Sequence, residues 1–160
     1  MASRKNQTAN DVIYTPQSLA KWLINYFKPT GTVLDPAAGK NAFYKQFKNV
    51  KKYRCEITEG IDFFDWNQKV DWIITNPPYS TYKQFLTHCF KVANNVVLLI
   101  PVAKIFAGNT VCEAAQKYGG IKQLVYIGTV RSIGFPFGFT VCAIHYKKNY
   151  KGSCKITYKT

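Results

Sequence analysis

Two short stretches carry residue types that could do chemistry. In "TNPPYS", Thr75 to Ser80, an amide side chain, two prolines and an aromatic ring directly follow the apolar run "VDWII". Proline has no N–H for a sheet ladder and pushes the residue before it out of helical space, so a strand must stop there. A polar amide and a ring are then held on stiffened backbone just past the strand's carboxyl end. The second stretch is "LDPAAGKNAF", Leu34 to Phe43. Its glycine lets backbone approach a ligand closely, and the segment that follows can present free N–H groups. Both Gly-x-x-x-x-Gly-Lys-Ser/Thr and Gly-x-Gly-x-x-Gly are absent, so it is neither a phosphate loop nor a dinucleotide fingerprint. The neighbouring acids argue against a polyphosphate and favour a small cationic ligand.

These loops need elements to hold them. In "YTPQSLAKWLINYF", Thr15 can cap a helix whose first residue is Pro16, with Leu19, Trp22, Leu23, Tyr26 and Phe27 on one face. "TVLD" reads as a short buried strand ending at Asp35, and "PAAGKN" as a turn into a helix from about Ala42 to Lys48. "KYRCEI" and "VDWIIT" read as strands, Tyr82 to Ala93 as a helix, and "NVVLLIP" as an apolar strand stopped by proline. A helix near Thr110 to Lys117 precedes "KQLVYIG" and "FTVCAIHYK", two antiparallel strands joined by "TVRSIGFPFG". Strand and helix alternate through most of the chain. That pattern predicts an α/β fold: an open, mostly parallel sheet, helices on both faces, an antiparallel C-terminal strand pair, and ligands beyond the strands' carboxyl ends.

The 160 residues suit one domain, with residues 1–11 as a flexible arm and no separate target-recognition domain. A formal charge of +14 is large for this size and favours a polyanionic partner, most simply nucleic acid. It is also uneven: six of eight acids lie between Asp35 and Asp71, while bases crowd Lys40 to Arg54 and Lys147 to Lys159. The five cysteines show no Cys-x-x-Cys and only two histidines accompany them, so they read as reduced thiols with no metal site. The polar start lacks a signal-peptide core, and "VVLLI" is too short to span a membrane. A cytoplasmic protein is expected.

The order "YTP", "DPAAGKNAF", "EITEGIDFF", "NPPY" resembles the S-adenosylmethionine-dependent amino-methyltransferases, specifically the DNA adenine-N6 group. The resemblance runs from about Tyr14 to Pro101 and implies a Rossmann-like class I methyltransferase fold. It implies that Tyr14, Thr15 and Pro16 lie beside the methionyl end of the cofactor, that Asp35 faces the methionyl ammonium, and that Pro36, Ala37 and Gly39 form the adjoining turn. It further implies that Glu56 accepts the ribose hydroxyls, Asp62 accepts from the adenine amine, and Phe63 packs on the purine. Asn76 and Pro77 then accept the N–H bonds of the target amine, drawing its nitrogen towards tetrahedral geometry and aiming its lone pair at the sulfonium methyl. Pro78 holds the turn, and Tyr79 stacks on a base swung out of the duplex, with Phe135, Phe137 and Phe139 as a second wall.

Three departures accompany the resemblance. Asn41 stands where the motif usually carries a glycine; asparagine tolerates positive φ, so the turn can survive. Only five residues separate Glu56 from Asp62, too few for a helix and strand, so the sheet is expected to lack an outer strand. The chain also reads as a stripped catalytic core. Rival readings are an RNA adenine-N6 or protein glutamine methyltransferase, and a non-catalytic nucleic-acid-binding subunit that keeps the fold. A homo-oligomer or partner subunit is left open.

Overall fold

Apolar runs bounded by proline, glycine and asparagine become the strands of a seven-stranded sheet. The structure is a computed structural model that describes residues 13–129 and 138–160. Its elements are α1 (Gln17–Phe27), β1 (Thr32–Asp35), β2 (Lys51–Arg54), β3 (Val70–Thr75), α2 (Tyr82–Val92), β4 (Ala93–Pro101), α3 (Asn109–Tyr118), β5 (Gly119–Thr129), β6 (Thr140–Lys148) and β7 (Lys155–Tyr158). The strand order is β2-β1-β3-β4-β6-β5-β7. Only β6 runs against the rest, pairing antiparallel with both β4 and β5. The expected α/β architecture is therefore present.

Strand side chains alternate between two apolar layers, as a period of two requires. On one face Leu19, Leu23 and Ile24 of α1 pack on Val33, Ile74, Val97 and Val125. On the other, Phe85, Leu86 and Cys89 of α2 with Val111 and Ala115 of α3 cover Leu34, Ile73, Val96 and Leu98. Strands covered on both faces read as near-continuous apolar runs, which is why "NVVLLI" shows no alternation. Trp22, Tyr26 and Phe27 lie at the margin of the first layer and are half-buried.

Several local expectations are corrected. Thr15 makes no cap: Pro16 is the residue flanking α1, Gln17 is the first helical residue, and no side chain caps this end. Residues 42–48 form turns and a single 3-10 turn, Tyr44–Gln46, instead of a helix. Asn41 and Asn49 bracket this segment at φ 64° and 58°, leaving too few residues between them to repay helix nucleation. β2 stops at Arg54, three residues early, because Cys55 turns its carbonyl to the N–H of Ala38, so that Glu56 is carried into the loop. β7 was not anticipated. It pairs parallel with β5, its Ile156 and Tyr158 level with Leu124 and Tyr126.

β2 is the sheet's edge strand on the side of the predicted missing neighbour. Between Glu56 and Asp62 there is only the 3-10 turn Ile57–Glu59, closed by Gly60 at φ 81°. At the opposite ends of the strands Gly31 is required by its surroundings. It sits at φ 75°, and a Cβ there would lie 2.2 Å from Asp71 Oδ2. That carboxylate accepts from Thr32 N and Oγ1, both at 2.8 Å, stitching β1 to β3. No helix among the described residues is long and apolar enough to cross a membrane.

Candidate functional site at the carboxyl edge of the sheet

β1 and β3 are neighbours and both end at this edge, so the loops after Asp35 and Thr75 emerge side by side. The Thr75 hydroxyl donates to Asp35 Oδ1 at 2.7 Å, joining the two strand ends. Asp35 is fully buried, and its other oxygen, Oδ2, has no partner among the described residues. Burial pushes its carboxyl up to about 7; the bond from Thr75 and the backbone N–H groups of Ala37 and Tyr44 oppose the rise, and the charge of Glu56 adds to it.

Asn76 comes next. Its amide nitrogen donates to the carbonyl of Ile13 at 3.1 Å. That bond fixes the amide's orientation and leaves Oδ1 buried and without a partner among the described residues. Pro77 is buried, and Pro78 and Tyr79 are half-buried. The Tyr79 hydroxyl reaches the Leu99 carbonyl at 3.4 Å, and its ring meets that of Phe139 edge-on with centroids 6.3 Å apart. Tyr79 and Phe139 are thus brought together as expected, while Phe135 and Phe137 lie outside the described residues.

The first loop folds back on itself. Pro36 is buried, Ala37 packs against the core, and Gly39 adopts φ 52° and donates its N–H to Glu56 Oε2 at 2.6 Å. Glu56 Oε1 accepts from Thr58 N at 3.0 Å and Thr58 Oγ1 at 2.8 Å. Burial alone would raise this carboxyl, yet the bonds from Thr58 and Gly39, with the charge of Arg54, hold it below the ordinary glutamate range. Asn41 sits in the left-handed conformation expected of the glycine it replaces, and its Oδ1 accepts from Arg54 at 3.1 Å. The turn survives the departure. Tyr14 lies against this loop, half-exposed: Lys40 Nζ is 4.3 Å from its ring centroid, and a Cβ on Gly39 would be 3.4 Å from its Cδ1. Thr15 and Pro16 are half-buried at the start of α1.

Asp62 and Phe63 carry structural duties in addition to any contact with a ligand. Asp62 Oδ1 accepts from Phe64 N at 2.9 Å and caps a 3-10 turn, Phe63–Asp65. Phe63 is only 4% exposed, with its ring 4.8 Å from Phe85 and 4.6 Å from His88. Two contributors were missed by sequence reasoning. Thr75 could have been suspected as a polar residue closing an apolar strand. Ile13 acts through its backbone carbonyl, for which side-chain chemistry leaves no signal.

An unpartnered buried acceptor costs about 1–3 kcal/mol, and Asp35 Oδ2 and Asn76 Oδ1 are two such acceptors at one sheet edge, each able to take a donor from a ligand. An ammonium suits the first and an amine N–H the second.

The sheet order, its lone reversed strand and the helices on both faces make this the Rossmann-like class I methyltransferase fold. No protein-family model matches the sequence, and no curated protein does. Among solved structures, one from Listeria monocytogenes, described as a "putative class I S-adenosylmethionine-dependent methyltransferase", superposes with a TM-score of 0.73 at 12% identity, over 94% of this chain and 67% of its own. A modification subunit of a type I restriction enzyme from Vibrio vulnificus YJ016, itself described as "putative", gives 0.69 at 13% identity, over 96% of this chain and 48% of its own. The type I restriction-modification methyltransferase subunit from Streptococcus thermophilus gives 0.65 at 18% identity, over 86% and 45%. The chain spans two thirds of the first and less than half of the other two.

Proposed function

We propose that the protein transfers a methyl group from S-adenosylmethionine to the exocyclic N6 of adenine in DNA. The observation that carries this reading is the Asn76 amide: its nitrogen is pinned by the Ile13 carbonyl, which leaves a buried oxygen with no donor among the described residues. A fixed acceptor immediately past a parallel strand is what an aromatic amine needs, because its lone pair is otherwise delocalised into the ring. With one N–H held by Asn76 Oδ1 and the other by the Pro77 carbonyl, the nitrogen pyramidalises and its lone pair becomes available.

S-adenosylmethionine, when bound, supplies a sulfonium methyl as the electrophile. The chain's part is to place it. Asp35 Oδ2 receives the methionyl ammonium, and Thr75 holds the carboxylate so that it cannot turn away. Gly39 keeps the loop backbone low over the ligand, while Glu56 and Asp62 accept from its ribose and adenine. Tyr79, backed by Phe139, supplies the face on which a flipped base stacks. The proton lost by the amine leaves to water once the C–N bond has formed.

DNA is favoured over other amine substrates by the +14 charge and by the modification subunits among the structural neighbours. The test is incubation with methyl-labelled cofactor and separate DNA, RNA and protein pools, using wild type and Asn76→Ala. Label should enter N6-methyladenine in DNA with wild type, and fall at least a hundredfold in the variant while cofactor affinity by calorimetry stays within a few-fold. Label in RNA or protein, or near-normal turnover by Asn76→Ala, would overturn the reading.

A further inference from the structure

The sheet sorts charge between its two edges. Every strand but β6 starts at the edge opposite the candidate site, and each helix brings the chain back to that amino edge before the next strand. Lys28 ends α1, Lys91 and Lys117 stand in the last turns of α2 and α3, and Lys69 directly precedes β3. β6 runs the other way, so its final residues, Lys147 and Lys148, arrive at the same edge: Lys147 is level with Asn95 and Gly120, and Lys148 with Gly119. At the other flank Lys51 opens β2, level with Thr32. All of these lysines are exposed.

Little opposes them. The one ion pair among the described residues is Arg54–Glu59, which lies beside the candidate site. At the amino edge Asp71 is engaged by Thr32 N and Oγ1, and the side chain of Lys69 donates to a carbonyl oxygen, that of Lys91. A groove of about 470 Å³ opens at this edge between Lys28 and Lys48, with Asn25, Thr30 and Asn49 offering further polar contacts. The acids Asp35, Glu56, Glu59 and Asp62 all belong to the carboxyl edge, where Arg54 pairs with Glu59 and its charge also acts on Glu56. The net positive charge is therefore polarised away from the candidate site.

We infer that the amino edge is a second nucleic-acid surface, a platform for the phosphate backbone of a duplex. From β2 to β5 the row crosses five strand spacings, about 24 Å at 4.8 Å each, which is the length of about seven base pairs. A lipid surface is disfavoured because most of the exposed large apolar side chains lie elsewhere: Tyr14, Ile61, Val102 and Phe106 sit in the loops at or near the carboxyl edge, Tyr126 and Tyr158 lie towards the carboxyl ends of β5 and β7, and Ile156 is level with Leu124 in the middle of β5. β4, nine residues long, separates the two edges by about 30 Å. The segment held at the amino edge is therefore distinct from the one offered to Asn76, and the surface stands whether or not the carboxyl edge transfers methyl.

The experiment compares two variants that each remove three positive charges: Lys28→Gln/Lys91→Gln/Lys147→Gln at the amino edge, and Lys83→Gln/Lys104→Gln/Lys159→Gln at the carboxyl edge. Fluorescence anisotropy with a 20-base-pair duplex at several salt concentrations reads affinity and its salt slope. Each lost phosphate contact lowers the slope by about 0.9, so the amino-edge variant should lose about 2 to 3 and the matched variant clearly less. Equal losses in the two variants, or an unchanged slope in the first, would overturn the inference. So would tighter binding of the wild type to phosphatidylserine vesicles than to the duplex, with that binding lost in the amino-edge variant.

Discussion

Replacing Asp35 by asparagine should make the unliganded protein relatively more stable as pH rises. The carboxyl is moved from 3.8 to about 7 by burial, so between those values the folded chain binds more protons than the unfolded one. Stability conferred by this site therefore falls as pH increases through that window. With these two values, linkage gives a penalty of roughly 2 kcal/mol at pH 5 and roughly 4 at pH 8. Asparagine can keep the bond from Thr75 but buries an amide N–H₂, at a cost of about 1–3 kcal/mol that does not vary with pH. The pH-dependent difference survives this cost: relative to wild type, Asp35→Asn should gain about 2 to 3 kcal/mol between pH 5 and pH 8. At about 2.1 cal/mol/K per residue for a chain of this length, that is a relative rise of roughly 7 °C in Tm. Thermal unfolding of both proteins at matched ionic strength measures it. The same carboxylate must be charged to hold an ammonium, so wild-type cofactor affinity should strengthen as pH rises through 7, and Asp35→Asn should lose both the affinity and the dependence. Parallel stability curves for the two proteins would refute the reasoning.

His145 should show the opposite slope. Burial, with the charges of Lys122 and Lys147, holds its imidazole down at about 4, so the unfolded chain takes up a proton first as pH falls below 6.5. Stability should drop from pH 6.5 towards 4 in wild type and far less in His145→Gln, as read by urea titration at each pH. Tyr79→Ala should lose base stacking of roughly 1–3 kcal/mol, seen as weaker binding of an abasic-opposed or mismatched adenine duplex, whereas Tyr79→Phe should retain most of it. Equal damage in both would mean that the hydroxyl's contact with Leu99, not the ring, matters. Glu56→Gln keeps the shape but must turn an N–H₂ towards at least one of the donors from Gly39 and Thr58. Cofactor affinity should fall at least tenfold while duplex affinity stays constant, by calorimetry and anisotropy respectively.

Much of the fold was legible because local chemistry and global architecture agree. Proline after Thr75, and at Pro101, ends an apolar run wherever it occurs, so β3 and β4 could be bounded from residue types alone. Their near-continuous apolarity called for cover on both faces, and α1 opposite α2 and α3 supplies it. The positive φ of Asn41 was likewise implicit in the one non-glycine residue type that tolerates it well. What the sequence could not settle depends on groups far apart in the chain. Asn76 is oriented by the backbone of Ile13, 63 residues away, and Asp35 is held by Thr75, 40 residues away. Phe63, read as a surface for a purine, also packs into the core, because α2 brings Phe85 and His88 against it. Charge shows the difference most plainly. In sequence Lys147 and Lys148 belong to the same basic tail as Lys159 and read as one run; in space the reversal of β6 carries them to the amino edge, while parallel β7 returns Lys159 to the other end beside Tyr126. Strand direction is a property of pairing, and pairing is decided only when the sheet assembles.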